Sequence, residues 1–149
     1  MEPSPATDVA WIALGSNLGH RGRNLARLRS ELEARGLVIE AATSEILTRP
    51  VGPQRQPDFH NQVVRVRSAV PLPAEEWLRL CKDAEVSAGR KETYRFGPRH
   101  ADADILLLGP HGEIRVDEPD LVVPHPRLHE RAYLQRLLAE LAIETDPSA

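Results

Sequence analysis

The order in which two hydrophobic periods follow one another limits this chain most. Val9 to Leu14 is a short apolar run closed by Gly15-Ser16-Asn17, the pattern of a buried strand entering a turn. Leu25, Leu28 and Leu32 then recur at helical spacing, with Gly36 as the expected C-terminal cap. Leu37 to Leu47 and the alternating Gln62-Val63-Val64-Arg65-Val66-Arg67 read as neighbouring strands, the second with one wet face. Pro73 followed by Glu75 and Glu76 signals a helix start, and Trp77, Leu80, Cys81 and Ala84 form its apolar stripe up to Gly89. Ala101 to Leu108 is a fourth strand, Leu121-Val122-Val123 adds a short edge strand, and Leu134, Leu137, Leu138 and Leu141 mark a third helix.

The order β-α-β-β-α-β predicts an α+β fold, a ferredoxin-like split βαβ sandwich whose antiparallel sheet carries helices on one face. At 149 residues the chain is expected to form one domain, 1–149, with 1–7 and 144–149 as flexible termini. A net charge of -3 gives no global attraction for nucleic acid or an anionic membrane, so any anion site must be local. The single cysteine, Cys81, excludes an intramolecular disulfide and reads as a small core residue. No apolar run approaches a membrane span, and MEPSPATD lacks a leader pattern, so a cytoplasmic location is expected. The prolines cluster in connections, of which 49–57 and 90–98 are long and polar, as functional loops are.

Chemistry concentrates where Asp102-Ala103-Asp104 opens an otherwise apolar strand. Residues two apart on a strand project to one face, so both carboxylates meet one site. Their repulsion is relieved by hard divalent cations with oxygen ligands; alone, the same pattern also marks a solvated strand end. Just upstream, Arg90, Lys91, Arg95 and Arg99 share one loop, so groups for phosphate oxygens and groups for metal arrive together. His125, between two prolines, is a phosphate-binding candidate or a turn histidine. Phe59 and Asn61 flank His60 at a strand start and offer a ring to stack on and an amide to read a heterocycle, or a core aromatic beside a turn residue.

These pieces, in register, resemble the 6-hydroxymethyl-7,8-dihydropterin pyrophosphokinase family. The resemblance runs from Trp11 to about Leu141, through Leu14-Gly15-Ser16-Asn17-Leu18-Gly19, Thr48 to Gln54, Phe59-His60-Asn61, Gly89-Arg90, Arg95 to Arg99 with Asp102 and Asp104, and Val123-Pro124-His125 with Arg131. It implies a Mg²⁺-dependent transfer of diphosphate from ATP to the hydroxymethyl group of the dihydropterin, with release of AMP, in folate biosynthesis. Asp102 and Asp104 would hold two Mg²⁺ ions with ATP. Thr48, Pro50, Val51, Phe59, Asn61 and Tyr133 match the pterin side; Glu85, Ile105, His125 and Arg131 match the ATP side; and Arg90 and Arg99 match loop arginines that stabilise the transferring group and bind ATP. The implied partners are these two small molecules, with no nucleic acid and no membrane. Glu92 departs from the pattern, standing where many members carry a second loop arginine. An RNA-binding module of the same fold would need aromatic-rich strands, which this chain lacks. A pterin- or nucleotide-binding protein with impaired turnover is the alternative that Glu92 motivates.

Overall fold

The structure, a computed structural model, describes residues 5–17, 19–49, 58–89 and 101–143. Chain order is β1 (Ala6–Ser16), α1 (Arg21–Ala34), β2 (Val38–Ala42), β3 (Ile46–Thr48), β4 (Phe59–Pro73), α2 (Ala74–Ser87), β5 (Asp102–Leu108), β6 (Val116–Glu118), β7 (Leu121–Val123) and α3 (Ala132–Glu140), with one 3-10 turn at Leu128–Glu130. The main sheet runs β2-β4-β1-β5, with β3 paired to the start of β4, and every pairing is antiparallel.

β1 lies at the centre because it is apolar on both faces, whereas β2, at one edge, is largely wet. Ala10, Ile12 and Leu14 pack with Val64, Val66, Ala103 and Ile105 against Leu25, Leu28 and Leu32 of α1 and Trp77, Cys81 and Ala84 of α2. Trp11, Val63, Leu106 and Leu107 form a second core with Leu128 and with Leu134, Leu137 and Leu138 of α3. The helices therefore occupy both faces, not one. The leucines of α3 have to be buried, and Trp11 and Leu107 leave the second face of the sheet equally apolar, so each covers the other. Both tryptophans satisfy their indole N–H groups, Trp11 on Gly109 O at 2.9 Å and Trp77 on Thr7 O at 3.0 Å.

Two further expectations change. β7 pairs with β6 in a separate two-stranded sheet and is not an edge strand of the main one. Residues 6 and 7, expected in a flexible terminus, pair with Pro73 and Leu72 as the first part of β1. α1 ends as expected at Gly36, which has φ 83°. Leu37 N–H donates to Leu32 O and Gly36 N–H to Glu33 O, the Schellman arrangement, and both leucines enter the core. Among the described residues no helix is long and apolar enough to cross a membrane.

Candidate active site

The site is built on one row across three strands. Gly15 on β1 stands opposite Asn61 of β4 on one side and Asp102 of β5 on the other, and two residues along Ala13 stands between Val63 and Asp104. Small residues on the middle strand leave a trough between their larger neighbours. A Cβ on Gly15 would stand 3.4 Å from Asn61 Oδ1 and 3.7 Å from the Phe59 ring. Over this trough opens a cavity of about 580 Å³, lined among others by Thr48, Phe59, Asn61, Asp102, Asp104, His125, Arg131 and Tyr133. That volume suits a small-molecule ligand.

On the β4 side Asn61 is 9% exposed, and its amide N–H₂ donates to Thr48 Oγ1 at 2.6 Å and to Phe59 O at 3.2 Å. With the nitrogen turned to β3, the amide carbonyl is left as an acceptor toward the Gly15 trough. Phe59 and Tyr133 supply aromatic surface to the same cavity, and Arg131 Nη1 approaches the Tyr133 hydroxyl at 3.5 Å.

On the β5 side Glu85, Asp102 and Asp104 bring carboxylate oxygens within 4.8 Å of one another. Asp102 and Asp104 begin an edge strand and face the cavity; Glu85 reaches them from α2, 2% exposed. Its Oε2 accepts the Ala103 N–H at 2.7 Å, and Lys82 Nζ stands 3.9 Å from its Oε1. Burial first, then the charge of Asp102 and a hydrogen bond shared with it, then Glu85, push the Asp104 carboxyl up to about 8. An all-oxygen donor set with this excess of negative charge fits a hard divalent cation such as Mg²⁺.

β5 carries an irregularity opposite Trp11 and Ile12, so that Leu106 is an extra residue. Its carbonyl accepts the His125 N–H at 2.9 Å, which fastens His125 beside the carboxylates. Arg127 N–H donates to His125 Nδ1 at 3.1 Å, leaving Nε2 to carry the ring proton. Burial, then the nearby Arg131 and Arg127, hold this imidazole below its usual pKa and therefore neutral at pH 7.

Of the residues singled out in the sequence, eight line the one cavity. Glu85 lies beside it, in the acidic cluster with Asp102 and Asp104 and bonded to the backbone of their strand, and Ile105 is 3% exposed in the α1 and α2 core. Pro50, Val51, Arg90 and Arg99 lie outside the described residues, as do Glu92, Lys91 and Arg95. Arg49, Arg127, Ala13 and Gly15 also line the cavity and had no assigned role. Arg49 and Gly15 lie in stretches that carried the resemblance but had no role of their own, Arg127 had no pattern to distinguish it, and the small size of Ala13 and Gly15 becomes significant only once the strand order is known.

Residues 11–143 match the family described as 7,8-dihydro-6-hydroxymethylpterin-pyrophosphokinase. The chain belongs to this family. The match starts at Trp11 on β1 and ends just after α3, so it covers every described element that lines the cavity. A Bacillus subtilis protein named 2-amino-4-hydroxy-6-hydroxymethyldihydropteridine pyrophosphokinase is 36% identical over 95% of this chain and 83% of its own. A Mycobacterium bovis protein of the same name is 35% identical over 93% of this chain and 72% of its own. An Arabidopsis thaliana mitochondrial folate synthesis bifunctional protein is 35% identical over 93% of this chain, which spans 24% of that longer protein.

Proposed function

We propose that the row Asn61, Gly15, Asp102 joins the two substrate sites of a pyrophosphokinase: the dihydropterin over β3, β4 and Tyr133, and ATP over β5 and His125. The reaction is that of the family, transfer of diphosphate from ATP to 6-hydroxymethyl-7,8-dihydropterin in folate biosynthesis. The pterin hydroxymethyl oxygen attacks the β-phosphorus and gives up its proton to solvent, the bond from that phosphorus to the α–β bridging oxygen breaks, and AMP leaves with that oxygen. Such a transfer depends on positioning and charge compensation more than on a covalent nucleophile.

Asn61 offers its carbonyl to the pterin ring while Thr48 fixes the amide, and Phe59 and Tyr133 provide surfaces for stacking. His125 presents an Nε2 proton and Arg131 a guanidinium, both suited to phosphate oxygens. Asp102 and Asp104 would hold Mg²⁺, two ions with ATP by the family's pattern, and Glu85 would keep the carboxylate strand in place. The bound metal would neutralise polyphosphate charge and make the β-phosphorus more electrophilic. For Arg90 and Arg99 the proposed role as cations toward the transferring group, and for Pro50 and Val51 contact with the pterin, rest on the sequence pattern. For Ile105, buried in the core, contact with ATP through the backbone is the form of the proposal consistent with its burial.

Two coarser assignments belong with this reading. The strand order β2-β4-β1-β5, with α1 and α2 on one face, supports a ferredoxin-like split βαβ core to which β3, the β6–β7 hairpin and α3 are added. A one-domain enzyme acting on small molecules in the cytoplasm is the matching organisation. The single observation that carries the functional reading is the convergence of Asn61 and Asp102 on Gly15. It is tested by measuring AMP formed from ATP and the hydroxymethyl pterin: turnover requiring both substrates and Mg²⁺ is expected, and AMP release independent of pterin would overturn it.

A further inference from the structure

Behind the pterin side of the cavity, a band of polar side chains ties α1 to the strands that carry Thr48 and Asn61. Strand alternation sends Phe59 and Asn61 to the cavity and His60 and Gln62 to the α1 face. His60 Nε2 lies 3.0 Å from Glu45 Oε1, and Arg29 Nη1 stands 3.9 Å from the other oxygen of the same carboxylate. Arg29 also donates to Gln62 Oε1 at 2.5 Å, and Gln62 donates to Thr43 O at 2.9 Å. At the start of α1, Arg21 donates to Asp58 O at 2.7 Å. Gly22 brings the helix onto the pair: a Cβ there would stand 3.4 Å from His60 Cε1 and 3.8 Å from Glu45 Oε1.

β3 pairs with β4 over only three positions, Ile46 with Asn61, Leu47 with His60 and Thr48 with Phe59. So short a ladder fixes little by itself. Glu45 immediately precedes this strand and His60 is the middle of the three β4 residues paired with it, so their contact is a side-chain clasp across the pairing that sets where Thr48 stands relative to Asn61. We propose that His60 and Glu45 are positioning residues for pterin recognition, acting through the Asn61–Thr48 hydrogen bond from the opposite face of the sheet. Neither lines the cavity, so the effect is indirect. The inference rests on the assignment of Thr48 and Asn61 to the pterin.

The test is steady-state AMP formation with both substrates varied, together with thermal melting, on His60→Leu, His60→Gln, Glu45→Gln and Asn61→Leu. Losing a part-buried hydrogen bond to a carboxylate is expected to raise the pterin KM of His60→Leu roughly three- to tenfold, leaving the ATP KM and kcat near wild type. Glu45→Gln should give the same split, and the His60→Leu/Glu45→Gln double variant should be no worse than His60→Leu alone. His60→Gln, whose amide N–H still reaches toward Glu45, should recover most of the loss. A normal pterin KM in His60→Leu beside a raised one in Asn61→Leu would overturn the inference while keeping the pterin assignment. Parallel loss in both KM values, kcat and melting temperature would also overturn it, by showing a purely structural role. A normal pterin KM in Asn61→Leu would overturn the assignment and the inference with it.

Discussion

Asp102 and Asp104 illustrate what a spacing alone conveys. Two acidic residues flanking Ala103 on an apolar strand had to share a face, and they do. Glu85 was legible only as a residue of a family pattern, because its meeting with Ala103 N–H depends on how α2 crosses the edge of β5. The amide of Asn61 was a candidate on type and position, but the partner that orients it, Thr48, lies thirteen residues earlier and needed the β3–β4 pairing. Removing either metal-side carboxylate takes away compensation for a polyphosphate, so Asp102→Ala or Asp104→Ala should raise the barrier by about 3–4 kcal/mol or more. Turnover at saturating Mg²⁺ measures this, and near-normal kcat in either variant would remove the carboxylates from the chemistry. Asn61→Leu replaces the acceptor by an apolar group and should weaken pterin binding about ten- to a hundredfold, with ATP binding retained. Calorimetry with each ligand decides; equal losses for both would make Asn61 a structural residue.

At the level of elements, local periodicity sufficed where one face met one core. Leu25, Leu28 and Leu32 are all buried as their spacing required, and Cys81 is buried in the α2 stripe. It did not suffice where partners had to be chosen. Leu121-Val122-Val123 has the composition of an edge strand, but its pairing with Val116–Glu118 places it in a hairpin of its own. The face taken by α3 was likewise invisible, since its leucines fit either side of a sheet apolar on both. The ends of α1 and α3 share one cap built from different residues. Ala142 N–H donates to Ala139 O and Ile143 N–H to Leu138 O, repeating the Schellman pattern of Gly36 and Leu37, but Ala142 takes it up at φ 60°. A Cβ in that region costs about 1–2 kcal/mol, while glycine gives back about 0.4–1 kcal/mol through its freer unfolded chain. Ala142→Gly should therefore stabilise by roughly 0.5–1 kcal/mol, and Gly36→Ala should destabilise by a similar amount, because its Cβ would meet no neighbour and only the backbone is strained. Urea unfolding measures both. A loss of stability in Ala142→Gly would mean that the alanine methyl packs favourably enough to outweigh its conformation.

For the molecule as a whole, the net charge of -3 does not draw in ATP, so compensation must be assembled locally. The same assembly makes the metal-free protein unusual in its response to pH. Asp104 is raised from 3.8 to about 8, so across that interval the folded chain holds a proton that the unfolded chain has released. With more protons bound in the folded state, stability falls as pH rises, opposite to the behaviour of a salt-bridged carboxylate. His125 acts in the other direction: its lowered pKa leaves the unfolded chain with more bound protons below 6.5, so its contribution grows as pH rises. The two are separated by comparing wild type with Asp104→Asn in chelator between about pH 5 and about pH 8, since the substitution removes only the carboxylate component. Over this range the wild-type melting temperature should decline relative to that of the variant. Saturating Mg²⁺ should abolish the difference in slope, because a cation bound by the native state stabilises the ionised carboxylates by mass action and has no comparable site when the chain is unfolded. Parallel curves for the two proteins in chelator would show that Asp104 is already ionised without metal, and that Glu85 and Asp102 stand farther from it in solution than the acidic cluster requires.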